Sequence, residues 1–212
     1  MAERTCFLVV VISSLLAFFS PTFIPTRTVH IIGEIEGCKW IKDREDLYCK
    51  WKIVDDLGNS KVANKWHLLR GTKEGTTQIA SSRGNSAALW NHPIDVHYSV
   101  SSLTGWPRFY LEVWHIDQFD RHQLVGNGMC YVPTEDGEHK LDCVHWRPVG
   151  SEYSQFADRF LGSTTQLSDS SVVFSCSDKF PLRTESAGVV FLHLYVLSKG
   201  FKSTGNISFT EK

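Results

Sequence analysis

Residues 105–133 read GWPRFYLEVWHIDQFDRHQLVGNGMCYVP, and the alternation within them decides the fold class. From Arg108 onward, Phe109, Leu111 and Val113 fall on one side of an extended chain and Tyr110, Glu112 and Trp114 on the other, as a period of two residues requires. A polar segment from His115 to Gln123 interrupts the pattern. It resumes through Leu124, Val125, Gly126 and Gly128 into the apolar residues 129–132 and stops at Pro133. Strand, charged loop, strand makes a β-hairpin.

Outward from this hairpin the chain reads almost entirely as strand. Candidates are residues 28–36, 46–54, 65–69, 76–80, 94–100, 108–114, 123–132, 139–144, 171–175 and 189–197, separated by Gly, Asn, Asp and Pro at the intervals of an antiparallel sandwich. In 46–54, Leu47, Cys49, Trp51 and Ile53 share one face while Tyr48, Lys50 and Lys52 share the other, giving one dry and one wet side. Tyr153, Phe156, Phe160 and Leu161 repeat at helical spacing and predict one short helix over 152–161, capping an open end of the sandwich. The class expected is all-β: an antiparallel β-sandwich with one short helix. With 212 residues and no internal repeat or long linker, one domain is expected.

A net charge of −1 excludes a strongly basic nucleic-acid binder. Between Lys39 and Arg83 there are ten Lys or Arg against six Asp or Glu, a local excess of +4 that reads first as a solvated surface and only secondarily as a face for an anionic membrane or an acidic partner. Residues 1–28 stand apart: Arg4 precedes the apolar run 6–19, which is too short to cross a bilayer comfortably but suits the apolar core of a secretory signal. Ser20-Pro21 is nevertheless a poor cleavage site. The six cysteines, Cys6, Cys38, Cys49, Cys130, Cys143 and Cys176, form no C-x-x-C pair, and the spacing favours reduced, buried thiols over a disulfide framework.

Catalytic constellations are not found. Gly71-Thr72-Lys73-Glu74-Gly75-Thr76 lacks the Gly-Lys-Ser/Thr ending of a phosphate loop and reads as a turn. In NHPIDVH, Asp95 and His97 share a strand face while His92 is out of register with them. His139, Cys143 and His145 match no zinc spacing, so both groups are assigned structural roles. The expectation is no catalytic residue, no bound metal and no cofactor.

Four motifs taken together resemble the B9 domain family: Trp90-Asn91-His92-Pro93-Ile94-Asp95; Gly105-Trp106-Pro107-Arg108; Gly126-Asn127-Gly128 ending in Tyr131-Val132-Pro133; and Cys143 followed by Trp146-Arg147-Pro148-x-Gly150. The likeness runs over 29–201, leaving 1–28 as an apolar extension and 202–212 as a tail. The family's short start resembles Met1-Ala2-Glu3 joined directly to something like Val29-His30-Ile31. Residues 4–28 therefore read as a 25-residue insertion, either signal-like or a gene-model artefact.

What the resemblance implies is a small non-catalytic protein of the ciliary basal body and transition zone, cytoplasmic and cytoskeleton-associated. It would join the two other B9 domain proteins and further subunits of the tectonic-like (Meckel syndrome) complex. That complex supports ciliogenesis and restricts membrane-protein diffusion between the plasma and ciliary membranes.

The B9 domain is in turn similar to the C2 fold, whose calcium loop carries V-W-D-x-D-x-x-x-x-x-D. The matching run here is 113–123, in which His115 and Gln123 replace two of the three acids and Asp117 remains; an earlier loop retains Asp46, and Asp120 lies out of position. Calcium wants six to eight oxygens, largely carboxylate, so this loop is expected to be degenerate. Two alternatives stand beside the scaffold reading. One is a C2-like membrane-targeting module using Lys50 and Lys52 against anionic lipid. The other is a secreted, disulfide-bonded sandwich.

Overall fold

A computed structural model of the chain describes residues 27–40, 46–55, 65–81, 87–153, 156, 166–169, 171–174 and 182–201. Nine strands form one antiparallel sheet: β1 (Arg27–Trp40), β2 (Leu47–Val54), β3 (Trp66–Gly71), β4 (Glu74–Thr76), β5 (Ala88–Val100), β6 (Arg108–Ile116), β7 (His122–Tyr131), β8 (Gly137–Pro148) and β9 (Thr184–Lys199), in the order β3-β5-β1-β9-β8-β7-β6-β2-β4. The all-β class expected from the alternation is what the chain adopts.

Four expectations need correction. Residues 171–175 are not a strand: Ser171–Phe174 is a single helical turn, α1, packed against β7 with Val173 buried. Its valines favour extended chain, but β8 already pairs with β7 and β9, and β9 with β8 and β1, so a strand between them has no edge to join. The strand expected over 76–80 is shifted to Glu74–Thr76, and Ala80 makes only an isolated bridge to Leu47. Strand 94–100 begins earlier, at Ala88. Of the helix expected over 152–161, Glu152, Tyr153 and Phe156 are helical, with Tyr153 and Phe156 exposed rather than packed; the rest lies outside the described residues.

The sheet folds on itself where β7 meets β8. Only Asn127↔Trp146 and Gly128↔His145 pair there, against twelve pairs between β8 and β9. Layer β3-β5-β1-β9-β8 then faces layer β7-β6-β2-β4. The Trp90 indole of β5 donates to the Leu47 carbonyl of β2 across the gap at 3.0 Å, and Trp66 meets Trp106 edge-on at 5.1 Å. Phe109, Leu111 and Val113 lie in the core between them, with Cys49, Trp51 and Ile53 from β2 and Leu192, Leu194 and Val196 from β9.

The motif residues singled out in the sequence hold this geometry. β5 carries a bulge opposite Glu36, because Ile35 pairs with His92 but Gly37 with Leu89. Asn91 takes φ +44 there, a left-handed conformation that Asn tolerates better than most residues. Pro93 pairs with Glu34 of β1 at a level where β3 has already ended at Gly71, so its missing N–H breaks no ladder on that side. Gly105, at φ +77, brings Trp106 in to donate to the Val132 carbonyl at 2.8 Å, and Pro107 accepts from Val132 N.

A Cβ on Gly128 would sit 2.8 Å from the His145 ring, and one on Gly126 would sit 2.8 Å from Ala187 Cβ. The bare glycines are what let the corner close. Beyond it, Trp146 and Arg147 pair with Ser186 and Glu185, Arg147 forms an ion pair with Glu185, and Pro148 ends the ladder opposite Thr184.

His145 is the polar group buried at this corner. Its Nδ1–H donates to the Cys143 carbonyl at 2.9 Å, and its Nε2 has no partner among the described residues. Burial lowers its pKa from 6.5 to about 4, against the raising effect of that hydrogen bond.

Two predictions follow from the packing. Phe109→Ala is expected to cost about 3–5 kcal/mol and Gly128→Ala about 1–3 kcal/mol in denaturant unfolding; a parental midpoint for either removes that residue from the core or the corner. Between pH 6.5 and 4 the unfolded chain binds a proton at His145 that the folded chain does not. Stability therefore falls with falling pH across that window, by at most about 3 kcal/mol from this group. Unfolding curves at pH 7 and 4.5 should show the drop, and His145→Gln should flatten it; an unchanged pH dependence in the variant assigns the drop elsewhere.

Candidate functional site

The degenerate loop residues are gathered at one end of the sandwich. Leu47 at the start of β2 pairs with His115 at the end of β6, and Ile116 N donates to the Asp46 carbonyl at 3.0 Å. His115 pairs with Gln123 across the hairpin. The connection 117–121 folds back on Asp117. Its Oδ1 accepts from the amides of Phe119 (2.8 Å) and Arg121 (3.0 Å), and its Oδ2 from Arg121 Nε (2.7 Å) and Gln123 Nε2 (3.4 Å). Arg121 Nη2 also lies 2.7 Å from Oδ2, so two guanidinium nitrogens share that oxygen in a charge-assisted pair.

Partial burial works to raise the pKa of Asp117, but the two amides and the guanidinium outweigh it and hold the carboxyl down at about 2. A cation thus already sits on the loop's central acid, and it belongs to the chain. Asp120 is exposed at φ +57, its amide bonded to the Asp117 carbonyl, and Asp46 is exposed at the same φ. Asp46, Asp117 and Asp120 do not bring their oxygens within ligand reach of one another: the one group of three among the described residues that does so is Glu34, Glu36 and His193.

Lys50 and Lys52 share the outer face of β2, as the alternation requires, and both side chains have protein partners. Lys52 is 3.4 Å from Glu74, and Lys50 Nζ lies 4.5 Å from the centre of the Trp114 ring. Glu112, opposite Lys50 on β6, accepts from Tyr110 OH at 2.7 Å and from Trp114 Nε1 at 3.0 Å. Tyr48 stacks on Trp114 and is bonded to His122 Nδ1 at 2.9 Å. An open groove runs along this face, lined by Lys50, Lys52, Glu74, Tyr110 and Glu112, with two ammoniums balanced by two carboxylates.

Arg121 and Glu112 were not among the expected site residues. Arg121, four residues after Asp117 in a short loop, was the available signal.

The histidine groups take structural places. His92 packs near Trp51 with ring centroids 6.0 Å apart, and burial lowers its pKa. Asp95 accepts from His30 at 2.6 Å, and His97 stacks on His30 at 4.9 Å. His139 is half-buried and bonded to the Glu135 carbonyl, apart from buried Cys143 and His145. Cys38, Cys49, Cys130 and Cys143 are free thiols; Cys6 and Cys176 lie outside the described residues.

Fold and site together define an antiparallel β-sandwich whose loop end and groove are closed by the chain's own ion pairs. Residues 29–197 match the B9-C2 family, described as "Ciliary basal body-associated, B9 protein". B9 domain-containing protein 2 of Bos taurus is 40% identical over 177 residues, covering 84% of this chain and 97% of the relative, and that of Drosophila melanogaster is 32% identical over 180 residues, covering 84% and 96%. B9 domain-containing protein 1 of Mus musculus is 31% identical over 178 residues, covering 82% and 83%. The chain belongs to the B9 family of ciliary basal body-associated proteins. Among solved structures, the C2A domain of a plant extended synaptotagmin 1 is similar at a TM-score of 0.39 and 14% identity, covering 84% of this chain and 97% of that one.

The loop geometry sets a further expectation. In titration calorimetry the full chain should give no saturable micromolar calcium binding. Restoring the acids with His115→Asp and Gln123→Asp should raise calcium affinity only modestly, and adding Arg121→Ala to that pair should raise it at least tenfold more. Equal affinity with and without Arg121 would show that the guanidinium does not compete with the ion.

Proposed function

We propose that this chain is a non-catalytic scaffold subunit of the ciliary transition zone. It assembles with the two other B9 domain proteins and further subunits of the tectonic-like complex. The assembly supports ciliogenesis and the barrier to membrane-protein diffusion between the plasma and ciliary membranes.

The observation that carries this reading is the extent of the family match: it spans the sandwich from Val29 to Leu197, and the relatives are covered almost end to end. The match covers 84% of this chain and 97% of the Bos taurus relative. The polar side chains at the loop end and in the groove, which would have to serve any chemistry, are engaged with one another. On this proposal residues 1–28 are an apolar extension, signal-like or a gene-model artefact, and 202–212 a tail.

The lipid-targeting alternative is weakened by the balanced charge around Lys50 and Lys52, and the secreted one by four free thiols.

The test is localisation and assembly in ciliated cells. The tagged full chain should concentrate at the ciliary base next to the basal body and co-precipitate both other B9 proteins; its loss should reduce ciliation and let plasma-membrane proteins enter the cilium. Secretory-pathway staining, or recovery of neither B9 partner, overturns the proposal.

A further inference from the structure

The pairing register lays out the outer face of layer β3-β5-β1-β9-β8 row by row. One row across it is Asp95, Ile32, Tyr195 and Glu138, and the next is Pro93, Glu34, His193 and Lys140. Glu36 follows at the bulge of β1, with Phe191 and Asp142 paired beside it. On the other side of the Ile32 row, His97, His30 and Leu197 lie abreast. Ile32, Tyr195 and Leu197 are neighbours, 37%, 42% and 54% exposed. They form an apolar strip in the middle of a sheet face, where a solvated layer would carry polar residues.

Charge frames that strip. Around it stand Asp95, Glu138, Glu34, Glu36 and Asp142, five carboxylates, against two cations, Lys140 in those rows and Arg70 beside His97 on the β3 edge. The partners of these acids are mostly imidazoles: His30 holds Asp95 at 2.6 Å, and His193 holds Glu138 at 2.7 Å and lies 3.9 Å from Glu36. The hydrogen bond from His30, with the nearby Arg70 adding to it, keeps Asp95 below its ordinary pKa. These imidazoles order the carboxylates through hydrogen bonds. The groove around Lys50 and Lys52 differs, because there each sign cancels the other.

Ligand atoms of Glu34, Glu36 and His193 come within 4.8 Å of one another, a receptor for one positive group at the edge of the apolar strip. An exposed apolar strip next to a concentrated negative pole is complementary to an amphipathic segment with Lys or Arg beside apolar residues. A bare metal ion would use the pole and leave the strip uncovered.

We propose that this face is the docking surface for a basic, amphipathic segment of a partner protein. A partner ammonium or guanidinium enters between Glu34, Glu36 and Glu138, and apolar side chains cover Ile32, Tyr195 and Leu197. The proposal rests on the scaffold reading and assigns its surface.

The full chain is co-expressed with the two other B9 domain proteins and the complex is captured through a tag on this chain. Failure of the parent chain to capture either partner sinks the scaffold reading, and this proposal with it. Given capture, Glu34→Lys with Glu36→Lys and Glu138→Lys should reduce recovery at least tenfold while the melting temperature stays near parental. Ile32→Asp with Leu197→Asp should do the same, and Lys50→Glu with Lys52→Glu should not. Should the reversals unfold the chain, the milder Glu34→Gln, Glu36→Gln and Glu138→Gln set takes their place, with a smaller loss expected.

Carbodiimide, which joins carboxylates to amines without a spacer, should link Glu34, Glu36 or Glu138 to a partner lysine. Full capture by folded charge-reversed chain, or cross-links arising at Lys50 and Lys52 instead, overturns the proposal. So does a loss reproduced in the parent chain by EDTA and restored by zinc, which would make the pole a metal site.

Discussion

The sandwich depends on one close approach: the bare Cα of Gly128 lying against the ring of His145. Two residue pairs join β7 to β8, and at that point a nine-stranded sheet turns from one layer into the other. A side chain at Gly128 would push the ring away, and one at Gly126 would meet Ala187. The cross-layer contacts, including Trp90 on Leu47 and Trp66 on Trp106, require the layers to be brought this near. A buried imidazole is an unusual choice for such a hinge. It satisfies the Cys143 carbonyl, and burial keeps it neutral at physiological pH.

At the loop end the charge is balanced within the chain. His115 and Gln123 offer no carboxylate, and Arg121 supplies one positive charge to Asp117. A guanidinium reaches Asp117 in a fixed planar geometry and needs no ion from solution. The result is a loop whose central acid is paired within the chain. The groove beside it follows the same logic, with Lys50 on Trp114, Lys52 on Glu74, and Glu112 bonded to Tyr110 and Trp114.

Much of this was legible in the sequence. Phe109, Leu111 and Val113 alternate cleanly, and β6 sits where they place it; likewise Cys49, Trp51 and Ile53 on β2. Legibility failed where the period is broken by one residue. Val125 is an extra residue in β7, since Val113 pairs with Gly126 and Trp114 with Leu124, and with α1 packed on that strand residues 124–128 are buried in an unbroken run. Tyr110, on the side of β6 opposite Phe109, is buried as well, its hydroxyl bonded to Glu112 and Asn127. The valines of α1 misled because strand propensity ignores whether an edge is open. At the site, the absence of carboxylates at 115 and 123 was visible in the sequence, whereas the pairing of Arg121 with Asp117 was signalled only by their spacing of four and follows from how the loop folds back. The acidic rows on the other layer were invisible too, because Glu34, His193 and Glu138 come from three strands far apart in sequence.

The thiols in the core have a chemical consequence. Nucleophilic attack and oxidation proceed through the thiolate, and burial pushes Cys38 up to about 12, raises Cys49 well above its ordinary value, and adds to the effect of the Cys130 contact in raising Cys143. While the sandwich is intact these three sulfurs are chemically silent; when it opens they become ordinary reactive thiols. Their rate of alkylation is then a clock for the opening of this fold, legible in any mixture where the protein can be picked out by mass. It requires no attached probe, and it keeps running when the protein is one subunit among many.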